Sequence, residues 1–146
     1  MTVFFSKACE LGIQAVLFLS IQEKRIFNAD EVSAEINLPR EFVSKVLQIL
    51  TNKGIVGSKR GKSGGFFLAK EPSEINLLDI VEAIDGLDSF KTCILGFQGC
   101  RSEEPCPIHY QWGKLREDAL EMLRSETLAD LREKTVCKLE FLKRKE

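Results

Sequence analysis

Between Cys93 and His109 the chain reads CILGFQGCRSEEPCPIH, a stretch that holds three of the five cysteines and the only histidine in 146 residues. Thiolates are soft ligands that suit iron–sulfur clusters or zinc, and imidazole serves the same metals. Cys93, Cys100 and Cys106 follow at intervals of seven and six residues, with Gly96 and Gly99 letting the chain curl between the first two. His109 stands three residues after Cys106, one helical turn on, so both side chains point the same way from a first turn. Three thiolates and one imidazole complete a set of four ligands, for an iron–sulfur centre or for a tetrahedral Cys3His zinc site. The plainer alternative leaves the cysteines as small buried apolar residues, which is the expectation for Cys9 and Cys137. Tyr110 and Trp112, beside the stretch, are read as core.

Composition bounds what such a centre could serve. Apolar residues make up 44% and charged residues 29%, as in an ordinary folded protein, and the length fits one domain or a small domain with an appended helical element. No run approaches the roughly 18 apolar residues of a membrane span. The opening MTVFF lacks the basic start and cleavage site of a signal peptide. A cytoplasmic location follows as the expectation, where clustered cysteines point to metal or redox chemistry before disulfides. No constellation resembles a hydrolytic or transfer active site, and with one histidine, already claimed by the ligand set, no enzyme is expected.

The elements that must position these ligands are legible from periodicity and capping. Leu11, Ala15, Phe18 and Leu19 form a helical stripe that Ser6 caps. Asn28, with Glu31 three residues on, opens a short helix through Ile36. Pro39 suits the first turn of the next helix, Phe42, Val43, Val46, Leu47 and Leu50 its buried face, and Gly54 its end. Ile55 to Lys59, a turn from Gly61 to Gly65, and Phe66 to Ala69 then read as a hairpin. A capped helix from Asn76 to Asp85 ends at Gly86, and a long one starts at Ile108, with Trp112, Leu115, Ala119, Met122 and Leu123 on one face. A second helical piece, from Thr127, runs into a charged tail.

Two short helices, the second with a basic exposed face, followed by a strand–turn–strand, are the pattern of a winged helix-turn-helix. Residues 1–70 carry ten Lys/Arg against six Asp/Glu, a net +4, while residues 71–146 carry eleven against sixteen, a net −5. Such local basicity on a near-neutral chain is the footprint of a nucleic-acid binder. On the second helix Arg40, Glu41, Ser44, Lys45 and Gln48 lie off the apolar face, where a recognition helix meets base edges. Lys59, Arg60, Lys62 and Ser63 sit on or beside the glycine turn, suited to the minor groove and to phosphates. The bland alternative makes these charges a solvated rim.

At this point the sequence resembles the Rrf2 family of bacterial winged-helix transcription regulators over roughly residues 5–135. The resemblance is carried by SKACELGIQAVLFL, by LPREFVSKVLQILTNKGIVGSKRGKSGGFFLAK, by LLDIVEAIDG and by the cysteines with CPIH opening the long helix. It implies a mainly α fold with a small β-hairpin: a winged helix-turn-helix region at 1–72, a connecting helix at 73–92, a cluster-binding loop at 93–109, and a long dimerisation helix with a tail at 107–146. It implies a homodimer that reads a palindromic operator on double-stranded DNA, with no membrane role. Many members hold an iron–sulfur cluster in this loop and change DNA affinity with its state, while others lack the cysteines; here the resemblance implies 2Fe–2S on Cys93, Cys100, Cys106 and His109. The first cysteine interval is one residue longer than the family's usual cysteine–x5–cysteine. Glu10 falls where some relatives supply a carboxylate ligand from the other subunit; if it coordinates, His109 need not, and 4Fe–4S becomes the alternative. A zinc-stabilised protein, a cluster-free regulator sensing a small molecule or partner protein, and an electron-transfer protein are the competing readings. The last leaves wing and basic helix unexplained.

Overall fold

The computed structural model describes residues 4–22 and 26–144, with side chains through residue 138. The expected charged tail lies for the most part beyond those side chains. Residues 23–25, which carry part of the basic balance, and the opening residues 1–3 lie outside the described residues too. In chain order the elements are α1 (Lys7–Ile21), α2 (Ala29–Ile36), α3 (Arg40–Asn52), β1 (Val56–Lys59), β2 (Gly65–Leu68), α4 (Leu77–Ile84), α5 (His109–Ser125) and α6 (Leu128–Arg144), with 3-10 turns at Pro72–Glu74 and Asp88–Phe90.

Helix α1 is the axis of the fold. Ser6 caps it by accepting the amide of Cys9 at 3.0 Å. Leu11, Ala15, Phe18 and Leu19 are buried as the stripe requires, but so are Cys9, Gly12 and Val16. A helix buried on several sides must be apolar on several sides, and α1 is touched by α2, α3, α4 and α6. At Gly12 a Cβ would lie 2.2 Å from Ile84 Cδ1, so the absent side chain is what lets α4 close on α1.

The helix-turn-helix follows from local chemistry. Asn28 accepts the amide of Glu31 at 2.8 Å to start α2, and Asn37, in the left-handed region at φ 55°, ends it. Helix α3 buries Val43, Val46, Leu47 and Leu50 and stops before Gly54 at φ 78°. Pro39 stands at the N-cap, one residue ahead of the expected first turn, and Arg40 is the first helical residue.

The wing is antiparallel, pairing Val56 with Leu68 and Lys59 with Gly65. Its limits differ by a residue from the expected ones because Ile55 pairs as a turn, donating to Leu50 O and accepting from Ala69. Phe27, ahead of α2, adds a bridge that periodicity did not mark: it exchanges two backbone hydrogen bonds with Phe66, at 2.9 and 2.7 Å. The hairpin is thereby fastened to the helices. Gly65 makes this approach possible, since at φ 154° any Cβ would meet Phe27 O at 2.4 Å.

Asn76 and Asp79 cap α4 reciprocally. Helix α5 leaves the ligand loop and packs on α4, and α6 returns to α1, with Leu128 wholly buried. Three expectations change here. The six residues assigned to one face of α5 divide: Leu123 is buried and Trp112 and Ala119 half-buried, while Ile108, Leu115 and Met122 face outward. Tyr110, expected in the core, is 66% exposed because α4 covers only one side of α5. Cys137 is exposed on α6 rather than buried. Among the described residues no helix is long and apolar enough to cross a membrane.

Candidate metal centre and nucleic-acid interface

The loop between the second 3-10 turn and α5 has little regular structure, and its course is fixed at single points. Gly96 and Gly99 take positive φ, 83° and 69°. The amide of Gly96 closes on Cys93 O at 3.0 Å, that of Glu104 on Arg101 O at 3.1 Å, and that of His109 on Cys106 O at 3.1 Å. These turns fold the loop on itself and bring Cys93, Cys100 and Cys106 together, their Sγ atoms all within 4.8 Å of one another. Cys93 and Cys106 approach to 3.5 Å. His109, the first residue of α5, places Nδ1 3.2 Å from Cys100 Sγ. The three cysteines are half-buried. Glu10 is not among the gathered donors; its carboxylate pairs with Lys7 at 3.2 Å.

The thiols perturb one another. Partial desolvation raises the Cys93 pKa, but the amides of Leu95 and Phe97 and the thiols of Cys106 and Cys100 outweigh it, leaving Cys93 below the usual thiol value. Cys106 is held above that value, by desolvation and by Cys93 and Cys100, against the amide of Ile108. Thiolate is the ligating form, so of this pair Cys93 is the one inclined to ionise first and Cys106 must give up its proton when a metal binds. Ile94, Leu95 and Phe97 leave an exposed apolar flank on the same loop.

The loop is also joined to the core. Trp112 Nε1 donates to Thr92 O at 3.0 Å, and Phe4 stacks parallel to both Phe90 and Trp112 at centroid distances near 6 Å. Beneath lies a small cluster of Cys9, Val81, Phe90 and Leu123. Cys9, expected as a buried apolar residue, is fully buried there.

In the helix-turn-helix, Arg40, Glu41, Lys45 and Gln48 are exposed along α3, and Ser44 is half-buried. Lys59, Arg60, Lys62 and Ser63 are all exposed at the wing. Arg40 is not free: its Nε lies 2.8 Å from Asp30 Oδ1 on α2. Asp30 carried no signal in the sequence, because a ten-residue separation across a turn belongs to no periodic pattern.

A helix-turn-helix backed by a glycine-turned wing, with a thiol cluster at the root of a long helix, defines the winged-helix class of transcription regulator. Within that class the chain belongs to the Rrf2 family, described as iron-dependent transcriptional regulators, whose profile matches residues 5–134. It is 30% identical over 131 residues to a protein of Aquifex aeolicus designated an HTH-type transcriptional regulator, covering 88% of this chain and 91% of that one. It is 30% identical over 101 residues to the HTH-type transcriptional regulator IscR of Serratia proteamaculans, covering 69% of this chain and 61% of that protein. Among solved structures, CymR, the global cysteine regulator of B. subtilis, superposes with a TM-score of 0.74 at 26% identity, over 90% of this chain and 98% of CymR. T. potens IscR gives 0.71 at 25% identity, over 92% of this chain and 88% of its own. These relatives are named as regulators, and this chain is a transcriptional regulator of the Rrf2 type.

Proposed function

We propose that this regulator binds a palindromic operator on double-stranded DNA as a homodimer, and that an iron–sulfur cluster on Cys93, Cys100, Cys106 and His109 sets its affinity. In this reading residues 1–72 read DNA and residues 93–109 hold the cluster. The observation that carries it is the convergence of three thiols within 4.8 Å with His109 Nδ1 beside Cys100. The donor set fits: three soft sulfurs and an imidazole are what 2Fe–2S centres and zinc accept. A carboxylate from Glu10 of a second copy would instead favour 4Fe–4S. A cluster would supply responsiveness to iron or redox state. Because Cys106 precedes His109 by one turn, any group held by both clamps the loop to the first turn of α5. Helix α5 is the element suited to carry a second copy.

A second reading takes the same donors, and the sulfur spacing fits it as well as it fits tetrahedral iron. The 3.5 Å separation of Cys93 and Cys106 sulfurs is close to the edge of a tetrahedral zinc–thiolate site, about 3.8 Å for a zinc–sulfur bond of about 2.3 Å. Zinc in the same donors would then be structural.

Anaerobic purification with a visible spectrum and counts of iron, acid-labile sulfide and zinc separates the readings. Iron with sulfide and visible colour, bleached by Cys100→Ala, is the expected result. A colourless protein with one zinc per chain replaces the cluster with zinc. A metal-free chain whose operator binding is indifferent to added iron and sulfide leaves the cluster-free regulator. In each case operator binding falls as salt rises, because phosphate contacts release counterions.

A further inference from the structure

Arg40 is in an unfavourable place for stability. It is the first residue of α3, where the helix dipole repels a cation. Its partner Asp30, in the first turn of α2, is where the dipole favours an anion. Both side chains are more than half exposed, at 56% and 71%, and an exposed pair of this kind contributes little to folding. The geometry is more informative than the energy. A guanidinium carries five N–H donors in a rigid plane. Asp30 Oδ1 lies 2.8 Å from Nε as an ion pair, which holds the carboxylate at the Nε side of the guanidinium, while the two terminal nitrogens carry the other four donors. One N–H from each terminal nitrogen makes an outer edge that matches guanine O6 and N7 in the major groove.

Building on the DNA-reading role of α3 proposed above, we propose that Asp30 is a positioning residue for sequence readout: it orients the Arg40 guanidinium so that its outer edge reads a guanine. An arginine left to rotate at a helix start would settle on phosphates, which hold charge without reading sequence. The carboxylate ties the plane down and, being negative, works against phosphate contact. Specificity is gained and sequence-independent affinity reduced.

The test is selection from a random-sequence duplex library by the full-length protein, prepared without oxygen, followed by titrations on the selected operator and its single-base variants. The wild type is expected to prefer guanine at one position of each half-site, by about 5- to 150-fold over other bases. Arg40→Ala and Arg40→Lys should both lose that preference, the lysine variant keeping most of its affinity for non-specific DNA. Asp30→Asn, nearly isosteric at an exposed site, should relax the same position while non-specific affinity stays level or rises. In the Arg40→Ala background it should change nothing further at that position. An unchanged base preference in Asp30→Asn, or a shift equal at all positions, would overturn the proposal, since either marks Asp30 as charge alone. Failure of the wild type to select any sequence would instead overturn the DNA-reading role itself. Thermal melts matching the wild type certify that each variant is folded.

Discussion

Trp112 donates its indole N–H to the carbonyl of Thr92 across 3.0 Å, and twenty residues of chain are closed into a loop by that bond. One end of the loop enters at Thr92, next to Cys93; the other leaves through His109, one turn before Trp112. The bond therefore ties the first cysteine's backbone to the helix that begins with the histidine. Phe4 stacks on the same indole, so the N-terminal segment shares the anchor.

Trp112→Phe should keep the aromatic packing and lose the hydrogen bond, whose net value is about 1 kcal/mol. The fold should survive, because Thr92 is exposed and its carbonyl can turn to water. The loop should open more often, by about fivefold, the factor that 1 kcal/mol represents. Release of bound metal to a chelator, timed by the loss of visible absorption or the gain of a zinc dye signal, should accelerate by that factor. An unchanged release rate would mean that the ligands alone hold the loop closed.

Gly65 is the second single point on which geometry rests. At φ 154°, with Phe27 O only 2.4 Å from where a Cβ would be, alanine both strains the backbone and pushes on a carbonyl that cannot yield without breaking the Phe27–Phe66 bridge. The cost should be at least about 2 kcal/mol, a fall in Tm of roughly 6 °C at this chain length. The same bridge holds the wing, so operator affinity at low temperature should weaken as well. A calorimetric scan with a binding titration on the folded variant checks both.

How much of this was legible depends on the range of the interaction. Ser6, Asn28, Asn76 and Gly54 act on their own backbone neighbours, and each is found at the helix end its sequence context implies. The cysteine spacing placed four soft donors in one loop, and the turns that gather the sulfurs are local too. The faces of α5 were not legible. Apolar residues at Ile108, Trp112, Leu115, Ala119, Met122 and Leu123 share one arc of about 100°, and periodicity cannot tell which half of it α4 will cover. Cys137 and Tyr110 failed as core residues for the same reason: burial is decided by the neighbouring element, not by side-chain type. The Phe27–Phe66 bridge and the Asp30–Arg40 pair cross turns and have no sequence signature.

Cys9 gives a prediction in pH. Its thiol is pushed up to about 12 by burial first, then by the negative charge of Asp85 and a hydrogen bond to it, and by Glu10. In the unfolded chain the same thiol ionises near its ordinary value of 9.0. The folded state keeps a proton that the unfolded state releases, so stability is fully present below pH 9 and declines from there to about pH 12. Each pH unit in that window costs up to about 1.4 kcal/mol. Urea unfolding of Cys9→Ala should show a flatter decline above pH 9 than the wild type, whatever its starting stability. Parallel slopes would mean that the thiol is free to ionise in the folded protein.

Helix α5 carries the last prediction. Ile108, Leu115 and Met122 recur at seven-residue intervals, exposed by 37%, 55% and 55%, on the side that α4 leaves open. A helix-pair seam repeats apolar residues at two positions of each heptad; this row supplies one of them, and in the homodimer proposed above a second copy would bring the same row. Leu115→Glu with Met122→Glu alters only exposed positions, so far-UV circular dichroism and the thermal melt should stay close to the wild type. Each residue is worth about 2 kcal/mol when buried, and a symmetric pair buries each of them twice. The double variant should therefore weaken self-association by at least about a thousandfold and run as a monomer in light scattering at micromolar concentration. With one half-site per molecule, its operator affinity should fall to that of an isolated winged head, and an engineered disulfide or fused zipper joining two copies should restore it. If the double variant remains a dimer, the two copies meet elsewhere, and the exposed flank of Ile94, Leu95 and Phe97 becomes the next surface to charge.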